Sequence, residues 1–185
     1  MSSASDSRSS VGALQLEAGI DHVLGAPAGR TIVEYGDYEC PYSRRAFREI
    51  ERVLDRRSGV RFAFRHYPLT EIHPHAFSAS AAAEAAMRQS RFWEMHALLF
   101  HRQHALEDDD LRAYAAQLGL DVAVFDRDRA GPSVADRVRR DVISGDASGE
   151  VQGTPTLFID GTVYRGPYDA ATLMEALAVR TTRHS

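Results

Sequence analysis

The residue best suited to do chemistry in this chain is Cys40, the only cysteine in 185 residues. It stands in the run Tyr35-Gly36-Asp37-Tyr38-Glu39-Cys40-Pro41-Tyr42-Ser43, where an apolar strand pattern gives way to a helical one. Pro41 suits the first position of a helix, which would put the sulfur at that helix's N-terminus. Unpaired N–H groups and the positive end of the helix dipole favour a thiolate there. The thiol is therefore expected to be more acidic and more reactive than a free cysteine, whose pKa is about 8.5. The alternative is a small buried apolar residue, the commoner fate of a lone cysteine. Polar residues on both sides of Cys40 argue for the reactive reading.

Two cysteines spaced Cys-x-x-Cys at a β-to-α junction would read as a thioredoxin-like redox pair, but the second position here is Ser43. No internal disulfide can form, so any disulfide must be mixed: with glutathione, with a substrate or with a second copy. The Ser43 hydroxyl is expected to donate a hydrogen bond to the thiolate. Upstream, Glu34 lies in a strand expected to be mostly buried. A carboxylate there is costly unless it is partnered or functional, or unless it faces solvent on an edge. Gly153-Thr154-Pro155-Thr156 precedes a late strand. Proline cannot donate in a ladder, so it belongs at a strand start or turn, where a cis bond can occur.

The elements that must position these residues are legible. After a mixed lead-in over 11–30, a strand is expected over Thr31 to Tyr35. A helix follows over Pro41 to about Arg57, with Phe47, Ile50 and Leu54 on one face and Arg44, Arg45, Arg48 and Arg52 largely on the other. Val60 to Tyr67 alternates as a strand, Phe62 and Phe64 on one side, Arg61, Ala63 and Arg65 on the other. From His73 to about Gly145 the pattern is helical: Ala76 to Gln89, Phe92 to Gln103, then Leu111 to Leu118, then Val134, Val138 and Val142. Strands return at Thr156 to Ile159 and, across the hairpin signal Asp160-Gly161, at Thr162 to Tyr164. A helix over about Ala170 to Val179 closes the chain. The order β-α-β, helical block, β-β-α implies one α/β domain over residues 21–185 with a helical insertion at about 73–148. Residues 1–20 are expected to be a flexible polar segment.

The net charge of −4 gives no sign of nucleic-acid binding. The chain has no lysine and no asparagine, which excludes lysine Schiff-base chemistry, a P-loop lysine and a Cys-His-Asn triad. No apolar run is long enough to span a bilayer, and the first residues carry no apolar leader pattern, so with its lone cysteine the chain is expected to be cytoplasmic. His73, His75, His96, His101 and His104 raise the question of a metal. Their spacing matches no recognised ligand pattern, and no metal site is expected. Phe92, Trp93 and Phe100 read as core, and Glu107 to Asp110 as a solvated turn and helix start.

Taken together, Val33-Glu34-Tyr35-Gly36-Asp37-Tyr38-Glu39-Cys40-Pro41-Tyr42-Ser43, Phe64-Arg65-His66-Tyr67-Pro68-Leu69, His73-Pro74-His75-Ala76, Phe92-Trp93-Glu94-Met95-His96 and Gly153-Thr154-Pro155-Thr156 resemble the DsbA-like branch of the thioredoxin superfamily. The resemblance runs from about Asp21 onward. It implies a thioredoxin fold with a helical insertion between its β-α-β and β-β-α halves. It also implies that Cys40 is an exposed nucleophile tuned by Pro41 and Tyr42, and that a cis Thr154-Pro155 bond places Thr154 beside the sulfur to pair with substrate backbone. Glu34 would lie beneath the site and help to move protons. Ser43 departs from the family, where a resolving cysteine is usual; either a natural monothiol member or a form stripped of its resolving thiol would read this way.

The expected function is thiol-disulfide exchange through Cys40 as oxidoreductase or isomerase, with no tightly bound cofactor and glutathione as co-substrate. The expected partners are disulfide-containing or glutathionylated proteins and low-molecular-weight thiols, with neither nucleic acid nor membrane among them. Two alternatives stand beside it. One is a glutathione-dependent transferase or isomerase on the same scaffold, which activates glutathione with a hydroxyl. The other is a redox-inactive module that holds extended peptides beside Pro155.

Overall fold

The structure, a computed structural model, describes residues 14–179. Of the expected flexible lead-in, residues 1 to 13 lie outside the described residues, whereas Leu14 and Leu16 pack against the sheet. The element order is β1 (His22–Gly25), β2 (Arg30–Gly36), α1 (Pro41–Arg56), β3 (Val60–His66), α2 (Ala76–Met87), α3 (Phe92–His101), α4 (Asp108–Gln117), α5 (Val122–Arg129), α6 (Pro132–Ser148), β4 (Thr156–Ile159), β5 (Thr162–Tyr164) and α7 (Ala170–Ala178). The five strands form one sheet in the order β1-β3-β2-β4-β5. β2 runs parallel to β3 and antiparallel to β4, while β1 and β5 close the edges as antiparallel strands. This is a thioredoxin fold, with α2 to α6 inserted between its halves.

The two-residue strand period sorts the sheet into two faces. Ile32, Phe62, Phe64, Leu157 and Ile159 project toward α1 and the insertion and join the main core. Val33, Tyr35, Ala63 and Phe158 project the other way into a smaller cluster. Because both faces are covered, the polar side of β3 is not solvent-facing, as its alternation alone would suggest. Arg65 is buried there, its guanidinium held by Asp21 at 2.8–2.9 Å, by the Tyr35 hydroxyl at 2.9 Å and by the Gln15 carbonyl at 2.9 Å.

Sequence patterning missed two short elements. β1 has four residues, too few to show a period, and α5 has eight, of which only Phe125 is buried. His104 lies in the turn after α3.

Helix α2 is the centre of the insertion. Its alanines are buried on nearly every side, which lets α3, α5 and α6 approach closely. A charge on such a helix needs partners. Glu84 Oε1 finds them in His22 Nε2 at 2.7 Å and His66 Nε2 at 2.8 Å, tying α2 to β1 and β3, while Arg137 of α6 lies 3.9 Å away. Burial works against the charge, but the two imidazole hydrogen bonds and their electrostatic field prevail and hold the Glu84 carboxyl far below its ordinary 4.5. A lowered folded-state pKa stabilises the fold above the unfolded value, and that stability is lost as pH falls. Replacing Glu84 by Ala should therefore cost about 3 kcal/mol at pH 7, read by denaturant titration. The gap to the parent should narrow as pH drops below 4.5; a constant gap would show that the charge contributes nothing.

Candidate active site

β2 delivers the site. Its last residue, Gly36, has no room for a side chain: a Cβ would lie 2.4 Å from Phe64 Cε2 and 2.9 Å from Glu34 Oε1. The chain then turns through Asp37 to Glu39 into α1, with Cys40 as the N-cap residue and Pro41 opening the helix. The buried Asp37 builds this turn. Its carbonyl accepts Cys40 N–H at 3.1 Å, and its Oδ1 accepts Glu39 N–H at 2.8 Å. Oδ2 reaches across to the segment after β3, accepting Leu69 N–H at 2.9 Å and His73 Nδ1–H at 2.7 Å. Glu39 adds a second strap by accepting His75 N–H at 2.7 Å. From the insertion, Gln103 donates its amide to the carbonyls of Tyr38 and Cys40, at 2.7 and 2.8 Å.

The sulfur is not the exposed nucleophile expected. Cys40 is 4% exposed, because the segment before β4 covers it, and Sγ–H donates to the Thr154 carbonyl at 3.2 Å. The neighbouring Tyr42 is 62% exposed. Ser43 also differs from expectation. It is fully buried, and its Oγ accepts the Asp37 N–H at 3.2 Å; among the described residues it makes no hydrogen bond to Sγ. The hydroxyl therefore serves the turn that carries the cysteine rather than the cysteine itself.

Thr154 and Pro155 face Cys40 and are joined by a cis peptide bond. They line a cleft with Gln152, Tyr164 and Tyr168, and the Thr154 Oγ1 is buried without a hydrogen-bond partner.

Glu34 does not sit on an edge. β2 is the central strand, and Glu34 is flanked across the ladder by Phe64 and Leu157. Both carboxylate oxygens are buried with no hydrogen-bond partner among the described residues. Burial alone pushes its pKa well above the ordinary 4.5. Beside it, the Tyr38 hydroxyl bonds His96 Nδ1 at 2.8 Å. His96 is enclosed by Phe47, Phe64, Phe92 and Phe100, and burial, aided by the field of the other two buried histidines, drives its pKa well below 6.5. It is a neutral core residue.

Sequence reasoning brought out Cys40, Pro41, Tyr42, Ser43, Glu34, Thr154 and Pro155 but missed Asp37, His73, Gln103 and Tyr168. Asp37 carried a readable signal, since an aspartate three residues before an N-cap is a natural turn builder. Gln103 carried none, because its partners lie more than sixty residues away in sequence.

Comparison with known proteins agrees with this geometry. Residues 17–178 match the family model described as Thioredoxin. Among solved structures, a thioredoxin-like oxidoreductase from Silicibacter pomeroyi superposes with a TM-score of 0.77 at 28% identity, covering 86% of this chain and 91% of that one. The thiol-disulfide exchange protein alpha-DsbA2 from Wolbachia pipientis gives 0.75 at 17% identity, covering 85% of each chain. BdbD from Bacillus subtilis gives 0.73 at 22%, covering 89% and 95%; these two likenesses speak to fold. Curated relatives include the Na(+)/H(+) antiporters NhaA 3 of Salinispora tropica, 44% identical over 158 residues, and NhaA 1 of Mycolicibacterium gilvum, 45% identical over 161. The matches take in 85% of this chain but only 24% and 26% of theirs, so the chain spans about a quarter of the length of those relatives.

A raised carboxyl pKa has a signed consequence. The folded state keeps a proton that the unfolded state releases above 4.5, so Glu34 costs stability increasingly as pH rises. Replacing Glu34 by Gln should raise the melting temperature at pH 8 by more than at pH 4. An equal shift at both would show that the carboxyl is not held neutral.

Proposed function

The chain belongs to the thioredoxin family, and we propose that it is a DsbA-like thiol-disulfide oxidoreductase that exchanges disulfides through Cys40 alone. The observation that carries this reading is the placement of the chain's one thiol at the N-terminus of a 16-residue helix, 3.2 Å from the carbonyl of the residue preceding Pro155. The helix N-terminus favours negative charge at that point.

The cycle follows from having a single thiol. The Cys40 thiolate attacks one sulfur of a disulfide. The Sγ–S bond forms, the original S–S bond breaks, and the second sulfur leaves with the electron pair and takes up a proton. With Ser43 in place of a resolving thiol, a second, external thiolate must attack the mixed disulfide and release Cys40. Glutathione is the co-substrate of this reading, which suits a cytoplasmic setting where reduced thiol is abundant. Clients would be glutathionylated proteins, which the cycle reduces, or misbridged ones, which it isomerises. In the antiporter relatives a domain like this one is part of a longer transporter chain. That supports a membrane transporter as one client to be tested.

A glutathione transferase would instead activate glutathione with a hydroxyl. The serine available for that, Ser43, is buried with its oxygen engaged by Asp37 N–H.

The test is intact mass after incubation with oxidised glutathione. The parent should gain one glutathione, removable by excess reduced glutathione, and the Cys40→Ser variant none. Failure of the parent to form the adduct or to exchange with any disulfide, with glutathione-transfer activity surviving in Cys40→Ser, would replace this reading by the transferase.

A further inference from the structure

A mixed-disulfide cycle must expel a sulfur anion at every turn, and nothing in the cycle above stabilises that anion. Tyr168 is placed to do so. It lies in the loop between β5 and α7, half-buried on the wall of the cleft lined by Thr154 and Pro155, and the Thr154 carbonyl accepts from Cys40 Sγ–H. The loop is anchored to the helix that carries the nucleophile, since Ala170 N–H donates to Glu49 Oε2 of α1 at 3.0 Å. Asp169 then caps α7 through Thr172 N–H at 3.0 Å.

The cleft has a second tyrosine, Tyr164, but its hydroxyl is engaged with the Pro167 carbonyl at 2.8 Å. The Tyr168 hydroxyl has no hydrogen-bond partner among the described residues, so its proton is free to be donated. Cys40, Tyr42, Arg45 and Glu34 all lie close enough to interact with it electrostatically. Burial raises its pKa above the ordinary 10, so the phenol remains a proton-bearing donor at neutral pH.

We propose that the Tyr168 hydroxyl is a catalytic hydrogen-bond donor to the sulfur that leaves when Cys40 attacks a disulfide, and to the same sulfur position when an external thiol returns. The inference rests on the exchange reading above and names a residue for it. In the attack, the Sγ–S bond forms as the S–S bond breaks, and the electron pair goes to the departing sulfur. The phenol O–H donates to that sulfur as its charge grows, water then supplies the proton that converts it to thiol, and the tyrosine is left unchanged. Cys40 is oxidised to the mixed disulfide as the departing sulfur is reduced. Such a donor matters in proportion to the basicity of the leaving thiolate, because weakly basic thiolates leave readily unaided.

That dependence separates a chemical role from a structural one. Second-order rate constants of the parent and Tyr168→Phe would be measured with three reagents: oxidised glutathione, whose leaving thiolate is strongly basic; Ellman's disulfide, whose leaving thiolate is weakly basic; and iodoacetamide, whose iodide takes no proton. Removing the donor should slow the glutathione reaction about tenfold relative to the Ellman reaction, the worth of one hydrogen bond to a charged group. An unchanged ratio, whether all three rates hold or all fall together, would overturn the proposal and leave Tyr168 a packing residue. If the parent alkylates but exchanges with neither disulfide, the exchange reading itself fails and this inference falls with it.

Discussion

Five hydrogen bonds among the described residues converge on Asp37, and the geometry of the site depends on them. The main chain of Asp37 holds Ser43 and Cys40, and its carboxylate holds Glu39, Leu69 and His73. One residue thus joins the end of β2, the first turn of α1 and the segment that follows β3. The buried carboxylate is tolerable because three N–H groups surround it, and those groups are arranged only when the two loops lie together. Formation of the turn and formation of the loop contact are therefore one event. Gln103 extends the coupling to the insertion, so the nucleophile is positioned by parts of the chain from both sides of the fold.

Two other buried glutamates show how partners decide what burial does. Glu34 and Glu84 both contact the same face of the sheet, and burial penalises both charges. Glu84 meets two imidazole N–H groups and holds its charge; Glu34 meets the side chains of Phe64 and Leu157 and keeps its proton. The first is a structural tie among α2, β1 and β3. The second is a buried carboxyl in the central strand whose pKa burial raises, with no hydrogen bond among the described residues.

How much of this was legible in the sequence follows from the range of each interaction. Helix and strand periods are local, and they located ten of the twelve elements; the cysteine at a strand-to-helix junction and the Thr154-Pro155 pair were local as well. β1 and α5 were too short to show a period. The exposure of Cys40 depends on a carbonyl 114 residues away, and the hydrogen-bond partner of Ser43 depends on the path of the turn, so spacing alone pointed the serine at the sulfur. Alternation put Arg65 on one side of β3 with Arg61 and Ala63, but it shows which residues share a face and not whether that face is covered.

Ser43 stands where a second thiol would complete a Cys-x-x-Cys pair. At its position the side chain is fully enclosed, and its hydroxyl accepts the Asp37 N–H and so helps to hold the turn. The sulfur is 4% exposed and sits against the Thr154 carbonyl, and Thr154 and Pro155 line the adjoining cleft. In a dithiol protein the second sulfur attacks from within and the cleft serves the client alone. In a monothiol cycle the client's disulfide and the resolving thiol must use the same cleft in turn, and the second cannot enter until the first partner's departing half has left. Selectivity would then lie with the residues that line this passage, Thr154, Pro155 and Tyr168, since no internal group competes with an external thiol for the mixed disulfide.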